Sequence, residues 1–300
     1  MKDKVLAIDA TWLIRRQFHA CNMAIVPGTG IEAKEATETE PAVEAVPMVQ
    51  DPLIVVVSFL QCVLKDIRET EYQYPVYALW DRGTYRYRPK DKFTGYKASR
   101  EYDDRWDACW SATDIARDLL RTIGIGSIQV PGCEADDLGM YYSHNSNDCI
   151  LRVIDSDWQQ SIRPTTKILK KYGEFITYED VVKEHITEPF DLAIDKAIRG
   201  GHDDLVQVQT GLDMAESIRQ YKARTLPVGV LNAIDSNMQL SRLDRILTDK
   251  QVHEIIATQE AMTQYPTNKL GITIALGKVF KEFPPYFLGV LGKYINLHRK

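Results

Sequence analysis

The chain has 300 residues, 44% of them hydrophobic and 26% charged, with a net charge of −5. These proportions are ordinary for a globular, soluble protein built as one large α/β domain or a core domain with a smaller appendage. The five cysteines, Cys21, Cys62, Cys109, Cys133 and Cys149, are odd in number and form no C-x-x-C pair; this argues against a disulfide framework or zinc knuckle and suits a reducing, cytoplasmic setting. The longest apolar stretch, Leu53 to Leu60, is too short to span a bilayer, and Met1-Lys2-Asp3-Lys4 leads straight into a strand-like run with no signal peptide.

In chain order, Val5-Leu6-Ala7-Ile8 reads as a buried strand ending at Asp9, and Thr11 to Cys21 as a helix with Trp12, Leu13 and Phe18 on its apolar face. Residues 24–51 are rich in Pro, Gly, Glu, Ala and Thr without a period, and are expected to form a flexible surface insertion. Pro52 starts a second helix that runs to Glu69. Pro75 to Trp80 reads as the second strand, ending at Asp81. A basic segment, 82–100, leads into a helix from about Glu101 to Thr122, which Gly124 and Gly126 stop. Ser127 to Val130 is the third strand, Asp136 to Ser143 a short helix, and Cys149 to Ile154 a fourth strand ending at Asp155. Lys167 to Lys171 reads as surface and Phe175-Ile176-Thr177 as a fifth strand, with helices around Glu179–His185 and Phe190–Arg199. From Gly200 onward the pattern is helical.

Strands alternating with helices imply a largely parallel sheet, whose ligands gather at the carboxyl ends of the strands. Asp9, Asp81, the Glu134-Ala135-Asp136-Asp137 cluster, Asp155 and Asp157 all stand at or just after a predicted strand. Singly, each acid reads as a helix cap or a solvated loop residue. Together they repel one another, and hard divalent cations such as Mg²⁺ or Mn²⁺ relieve that repulsion most simply. The segment after Asp81 has the opposite character: Arg82, Arg86, Arg88, Lys90, Lys92, Lys97 and Arg100 interleave with Tyr85, Tyr87, Phe93 and Tyr96. Cations that neutralise phosphates and rings that stack on unpaired bases suit a single-stranded nucleic-acid end; the alternative is a solvated charged loop. His19, Trp106 and Trp110 read as packing residues.

The pieces Ile8-Asp9-Ala10-Thr11, Trp80-Asp81-Arg82-Gly83, Tyr96-Lys97-Ala98-Ser99-Arg100, Gly132-Cys133-Glu134-Ala135-Asp136-Asp137 and Asp155-Ser156-Asp157-Trp158 occur in the order found in the 5′-nuclease family. Over roughly residues 4–215 the sequence resembles the stand-alone bacteriophage 5′→3′ exonucleases and flap endonucleases, related to the nuclease domain of bacterial DNA polymerase I. The resemblance implies an α/β, PIN-like fold with a largely parallel central sheet flanked by helices. It implies a catalytic domain over 1–199 with an arch region at 82–124, and a small helical C-terminal region, 200–300.

It also implies two metal positions. Asp9, Asp81, Glu134, Asp136 and Asp137 would serve the first, and Asp155, Asp157 and Asp204 the second, each holding Mg²⁺ or Mn²⁺. The family's Gly-Asp-x-x-Asp element is replaced here by Gly200-Gly201-His202-Asp203-Asp204, so Gly201 stands where the first acid belongs. Lys97 and Arg100 would contact the scissile phosphate, with Tyr96 stacking nearby. A helix–hairpin–helix, which in relatives holds a duplex phosphate through an ion such as K⁺, is represented only by Gly211. The implied activity is hydrolysis at 5′ ends, flaps or RNA primers of DNA by a monomer in the cytoplasm (the host's if the source is viral), working beside a polymerase or single-strand-binding protein. Two other readings stand: a branched-DNA-binding protein that cuts weakly or not at all, and a PIN-like RNA endonuclease.

Overall fold

The computed structural model describes residues 4–34, 43–82, 103–153, 155–170, 173–185, 188–200, 205–241, 243, 247–261 and 269–298. Five strands, β1 (Lys4–Asp9), β2 (Val76–Trp80), β3 (Gly126–Gln129), β4 (Asp148–Arg152) and β5 (Thr166–Leu169), pair in parallel, and a short β6 (Phe175–Ile176) pairs antiparallel with β5. The sheet order is β3-β2-β1-β4-β5-β6. Every residue of β2, and all of β1 after Lys4, is buried, which is why these strands read as continuous apolar runs rather than alternating ones. The helices are α1 (Ala10–Ala20), α2 (Pro52–Glu69), α3 (Asp107–Thr122), α4 (Ala135–Asn145), α5 (Tyr178–His185), α6 (Leu192–Arg199), α7 (Met214–Lys222), α8 (Val228–Ser241), α9 (Asp249–Ala261), α10 (Lys269–Val279) and α11 (Tyr286–His298).

The chain forms two compact units, each drawn from three stretches. The first, Met1–Ala10, Gln73–Glu101 and Gly126–Ala261, contains the sheet and α4 to α9. Within it α6, α7 and α8 share a small core of their own, in which Ala193, Ile194, Ala197 and Ile198 meet Ile218, Leu231, Ile234 and Met238. The second unit, Thr11–Tyr72, Tyr102–Ile125 and Met262–Lys300, is helical, with α2 packed on α3 and α11. Pro52 opens α2 as expected, with the Asp51 carboxylate accepting from Leu53 N at 2.9 Å. Trp106 lies 5.2 Å from the Phe18 ring and 5.4 Å from His19, whereas Trp110 is exposed, with the Arg15 guanidinium over its ring.

One expected region takes a definite form and one expectation is corrected. The insertion over 24–51 is, in its described residues, an antiparallel ribbon bridged at Ile25–Gln50, Ile31–Val46 and Lys34–Val43. The Gln50 amide anchors its base by donating to Met23 O at 2.7 Å and Arg105 O at 3.0 Å. Main-chain pairing leaves no side-chain period to read, and Ile31, Val43 and Val46 are each more than a third exposed. Lys167 to Lys171 is not merely surface, because Thr166–Leu169 forms β5 with Ile168 and Leu169 buried. Its lysines hid a four-residue strand; Lys167 turns outward and lies over the Phe175 ring, 4.7 Å from its centroid.

One close approach bears directly on the acids. Gly139, in the middle of α4, lies under the buried Trp158 indole of the 3-10 turn Ser156–Ser161, and a Cβ there would sit 2.0 Å from the ring. A glycine inside a helix costs about 1 kcal/mol relative to alanine, so its presence is explained by this contact. Gly139→Ala is expected to lower the free energy of unfolding by about 1–3 kcal/mol despite its better helix propensity. Urea denaturation reads this directly, and an unchanged or raised midpoint would contradict the packing described.

Candidate active site

The strand order reverses beside β1: β2 and β3 lie to one side, β4 and β5 to the other. In parallel sheets the crevice at such a reversal, at the carboxyl ends of the strands, is where ligands collect. Asp9 is the last residue of β1 and is 8% exposed. The register pairs it with Leu79, so Asp81 stands two positions further along the neighbouring strand. On the other side Ile8 pairs with Arg152, which leaves Asp155 just beyond the end of β4. Asp155 also lines a cleft of about 240 Å³ with Val153, Gln159, Ile168, Lys170, Glu174 and Ile176.

The acid-rich turn is built from two strand exits laced together. Arg82 N donates to Cys133 O at 2.9 Å, Gly132 N to Arg82 O at 2.8 Å, and the Gln129 amide to Asp81 O at 3.2 Å. Gly132 takes φ +74°, a left-handed conformation that glycine adopts without strain. This lacing brings Asp81 to the N-terminus of α4, where its Oδ1 accepts from Ala135 N at 2.8 Å. Asp136 Oδ1 accepts from Asp137 N at 2.7 Å, and Asp137 Oδ2 accepts from Glu134 N at 3.1 Å. Glu134 and Asp137 thus form a capping box. Exposures of only 7% and 4% for this pair would be costly without such donors. The exposed N–H groups and positive end of α4 offset the repulsion among these carboxylates.

Asp155 and Asp157 occupy the start of the Ser156–Ser161 turn, where Asp155 Oδ1 accepts from Asp157 N at 3.0 Å. Asp157 Oδ2 receives the Lys196 ammonium at 2.5 Å. Sequence reasoning assigned Lys196 no role; its only sequence signal was its place on the helix leading to Gly200. The donors at these strand ends are all carboxylate oxygens, a chemistry that fits a hard divalent cation rather than a soft one. Asp81, Glu134, Asp136, Asp137 and Asp155 are engaged with backbone amides, and Asp157 with Lys196. Among the described residues no three His, Cys, Asp or Glu side chains form a group that could hold an ion.

Of the residues expected to meet nucleic acid, Arg82 is exposed at the rim of the acid turn, with its guanidinium 3.6 Å from Glu254. Gly211 lies in the turn between α6 and α7 at φ +73°, with open space where a Cβ would stand, and Asp213 caps α7 by accepting from Glu216 N at 2.9 Å. Arg86, Arg88, Lys90, Lys92, Tyr96, Lys97, Arg100 and the rest of 83–102 in the arch region lie outside the described residues, as do Gly201 and Asp204.

The fold and the acids at its strand ends define the class, and the comparisons agree. A model of the 5′–3′ exonuclease N-terminal, resolvase-like domain matches residues 4–188. The chain belongs to the 5′–3′ exonuclease family. Its architecture is the α/β, PIN-like 5′-nuclease fold with a mostly parallel sheet. A crystal structure of the bacteriophage T5 D15 protein co-crystallized with metal ions is similar over 92% of this chain and 99% of that one, at a TM-score of 0.59 and 15% identity. T5 5′-exonuclease with bound zinc is similar over 97% of each chain, with a TM-score of 0.53 and 16% identity. The T5 D15 flap endonuclease in a pseudo-enzyme-product complex with DNA and metal ions is similar over 97% of this chain and 99% of that one, at 0.52 and 13%. No curated protein matches the sequence.

A further residue of the acid turn had no sequence signal at all. Gln251, on α9 and 8% exposed, donates from Nε2 to Pro131 O at 3.2 Å and to Cys133 Sγ at 3.3 Å. Its Oε1 accepts from Thr248 N and Oγ1 at 3.0 and 2.9 Å, so one amide holds the start of α9 against the turn carrying Glu134. Gln251→Met keeps the bulk and removes every one of these bonds. It is expected to cost about 1–3 kcal/mol, the penalty for buried polar groups that lose their partner. Chemical denaturation of the two proteins side by side checks this, and equal stability would remove Gln251 from the account.

Proposed function

We propose that this protein is a divalent-metal-dependent 5′-nuclease that hydrolyses phosphodiester bonds at 5′ ends, flaps or RNA primers of DNA during replication or repair. The observation that carries the reading is the recurrence of acids at the carboxyl ends of adjacent parallel strands, on both sides of the reversal in strand order, in a chain of the 5′–3′ exonuclease family. The metal ions and DNA named for the T5 structures support it.

Asp9, Asp81, Glu134, Asp136 and Asp137 would hold one cation, Mg²⁺ or Mn²⁺, and Asp155, Asp157 and Asp204 a second. Bound there, such cations supply Lewis acidity toward the phosphate under attack. The chain's own residues do the rest. The α4 N-terminus orients the carboxylates and favours negative charge there, while Arg82, Arg86, Arg88, Lys90 and Lys92 neutralise the phosphates of the incoming strand. Lys97 and Arg100 contact the scissile phosphate and stabilise charge that develops in the transition state, with Tyr96 stacking beside them. Gly211 would let the α6–α7 turn approach a duplex phosphate closely, with K⁺ between them. The working form is a monomer in the cytoplasm, acting near a polymerase or single-strand-binding protein.

The second reading, a branched-DNA-binding protein with little cleavage, is favoured by Gly201 and by the lysine on Asp157. One experiment separates the two: a 5′-flap duplex is incubated with the protein in Mg²⁺, Mn²⁺ or EDTA. Metal-dependent release of short 5′ products is expected. Asp136→Asn is expected to slow that release by about a hundredfold or more while flap binding persists. Binding without cleavage in either metal would establish the second reading instead.

A further inference from the structure

Lys196 and Asp157 come from segments that are fixed independently of each other. Asp157 stands in the turn whose Trp158 is packed on Gly139 of α4. Lys196 projects from α6, which is anchored by Ala193, Ile194, Ala197 and Ile198 in the core it shares with α7 and α8. Their side chains are 26% and 28% exposed, so the pair is screened less than one on the open surface. Both backbone segments are fixed by the packing of their neighbours, so the fold sets where the two side chains meet. Neighbouring charges have partners of their own: the Arg199 guanidinium is 2.8 Å from Asp195, and the Lys222 ammonium 2.9 Å from Asp191.

An ammonium donating to Oδ2 at 2.5 Å and a divalent cation on the same carboxylate are alternative counter-charges. Both together would set like charges a few ångströms apart in a partly desolvated place. The sequence is also short of one acid at Gly201. We propose that Lys196 is the resident counter-charge of Asp157 and competes with a divalent cation for it. The chain at rest then takes up one such cation firmly, at the Asp9, Asp81 and Glu134–Asp137 end, and a second only by displacing Lys196. The inference deepens, and rests on, the reading of these acids as cation ligands.

The test is a calorimetric and EPR titration with Mn²⁺, in the absence of nucleic acid, of the full chain and of Lys196→Met, Lys196→Gln and Lys196→Arg. One firm and one weak Mn²⁺ are expected for the parent protein and for Lys196→Arg. In Lys196→Met and Lys196→Gln the weak ion is expected to bind about tenfold more tightly, the gain from removing one nearby positive charge, and Asp157→Asn added to either should abolish that gain. Two variants of different polarity guard against a folding defect in one, which circular dichroism reports. Equal affinity for the second ion in all four proteins, with the first ion bound normally, overturns the role of Lys196 alone. No Mn²⁺ uptake by any of them overturns the cation reading and this inference together.

Discussion

Several carboxylates must share one end of a sheet without driving it apart, and the arrangement around them follows from that constraint. Coulomb repulsion between neighbouring acids would raise their proton affinity or splay the loops that carry them. The protein answers with backbone dipoles. Asp81, Glu134, Asp136 and Asp137 are drawn to the N-terminus of α4, where unpartnered N–H groups of a first helical turn need acceptors. Orphan donors of the helix start and crowded carboxylate acceptors thus meet, although one buried oxygen, Asp137 Oδ1, accepts no hydrogen bond among the described residues. The capping role and the proposed ligand role of these acids are therefore compatible, since a carboxylate has two oxygens and several lone pairs.

That solution ties the acids to the packing of the first unit. The start of α4 is held by main-chain bonds between the exits of β2 and β3, and from above by the Gln251 amide of α9. The body of α4 is held by the absence of a Cβ at Gly139, which admits Trp158 and with it the turn bearing Asp155 and Asp157. Two acid-bearing segments thus share one helix, one through its N-terminus and one through its middle. Their relative placement is a property of side-chain and backbone packing, the most rigid kind of contact a protein interior offers.

Charge balance differs between the two sides of β1. On the β2 side the carboxylates meet backbone amides at the start of α4, with Arg82 exposed beside the turn and paired to Glu254. On the β4 side Asp157 meets a covalently tethered cation in Lys196. A tethered ammonium is always present at high effective concentration, whereas a metal ion must be drawn from solution. The two sides therefore balance their negative charge differently, by amide dipoles on one and by a tethered ammonium on the other, and in the sequence Gly201 comes just after α6, the helix that supplies the lysine.

The sequence by itself determined the parallel sheet, the acids at its strand ends and the helical character of the C-terminal stretch. Those signals are local: an apolar run such as Val5–Ile8 is buried on both faces, and an acid just after such a run stands at a strand end whatever its neighbours do. The order of the quoted motifs carried the family resemblance as well. What only the tertiary structure decided is of another kind. The ribbon over 24–51 rests on main-chain pairing, which leaves no side-chain pattern; β5 was masked by Lys167 within it and the lysines that follow. Neither Gln251 against Pro131 nor Lys196 on Asp157 could be read in advance, because each partner lies far along the chain and a single glutamine or lysine looks alike whether solvated or engaged. Residue type and short-range spacing are written in the sequence, whereas a hydrogen bond between distant segments exists only once the fold has fixed both of its ends.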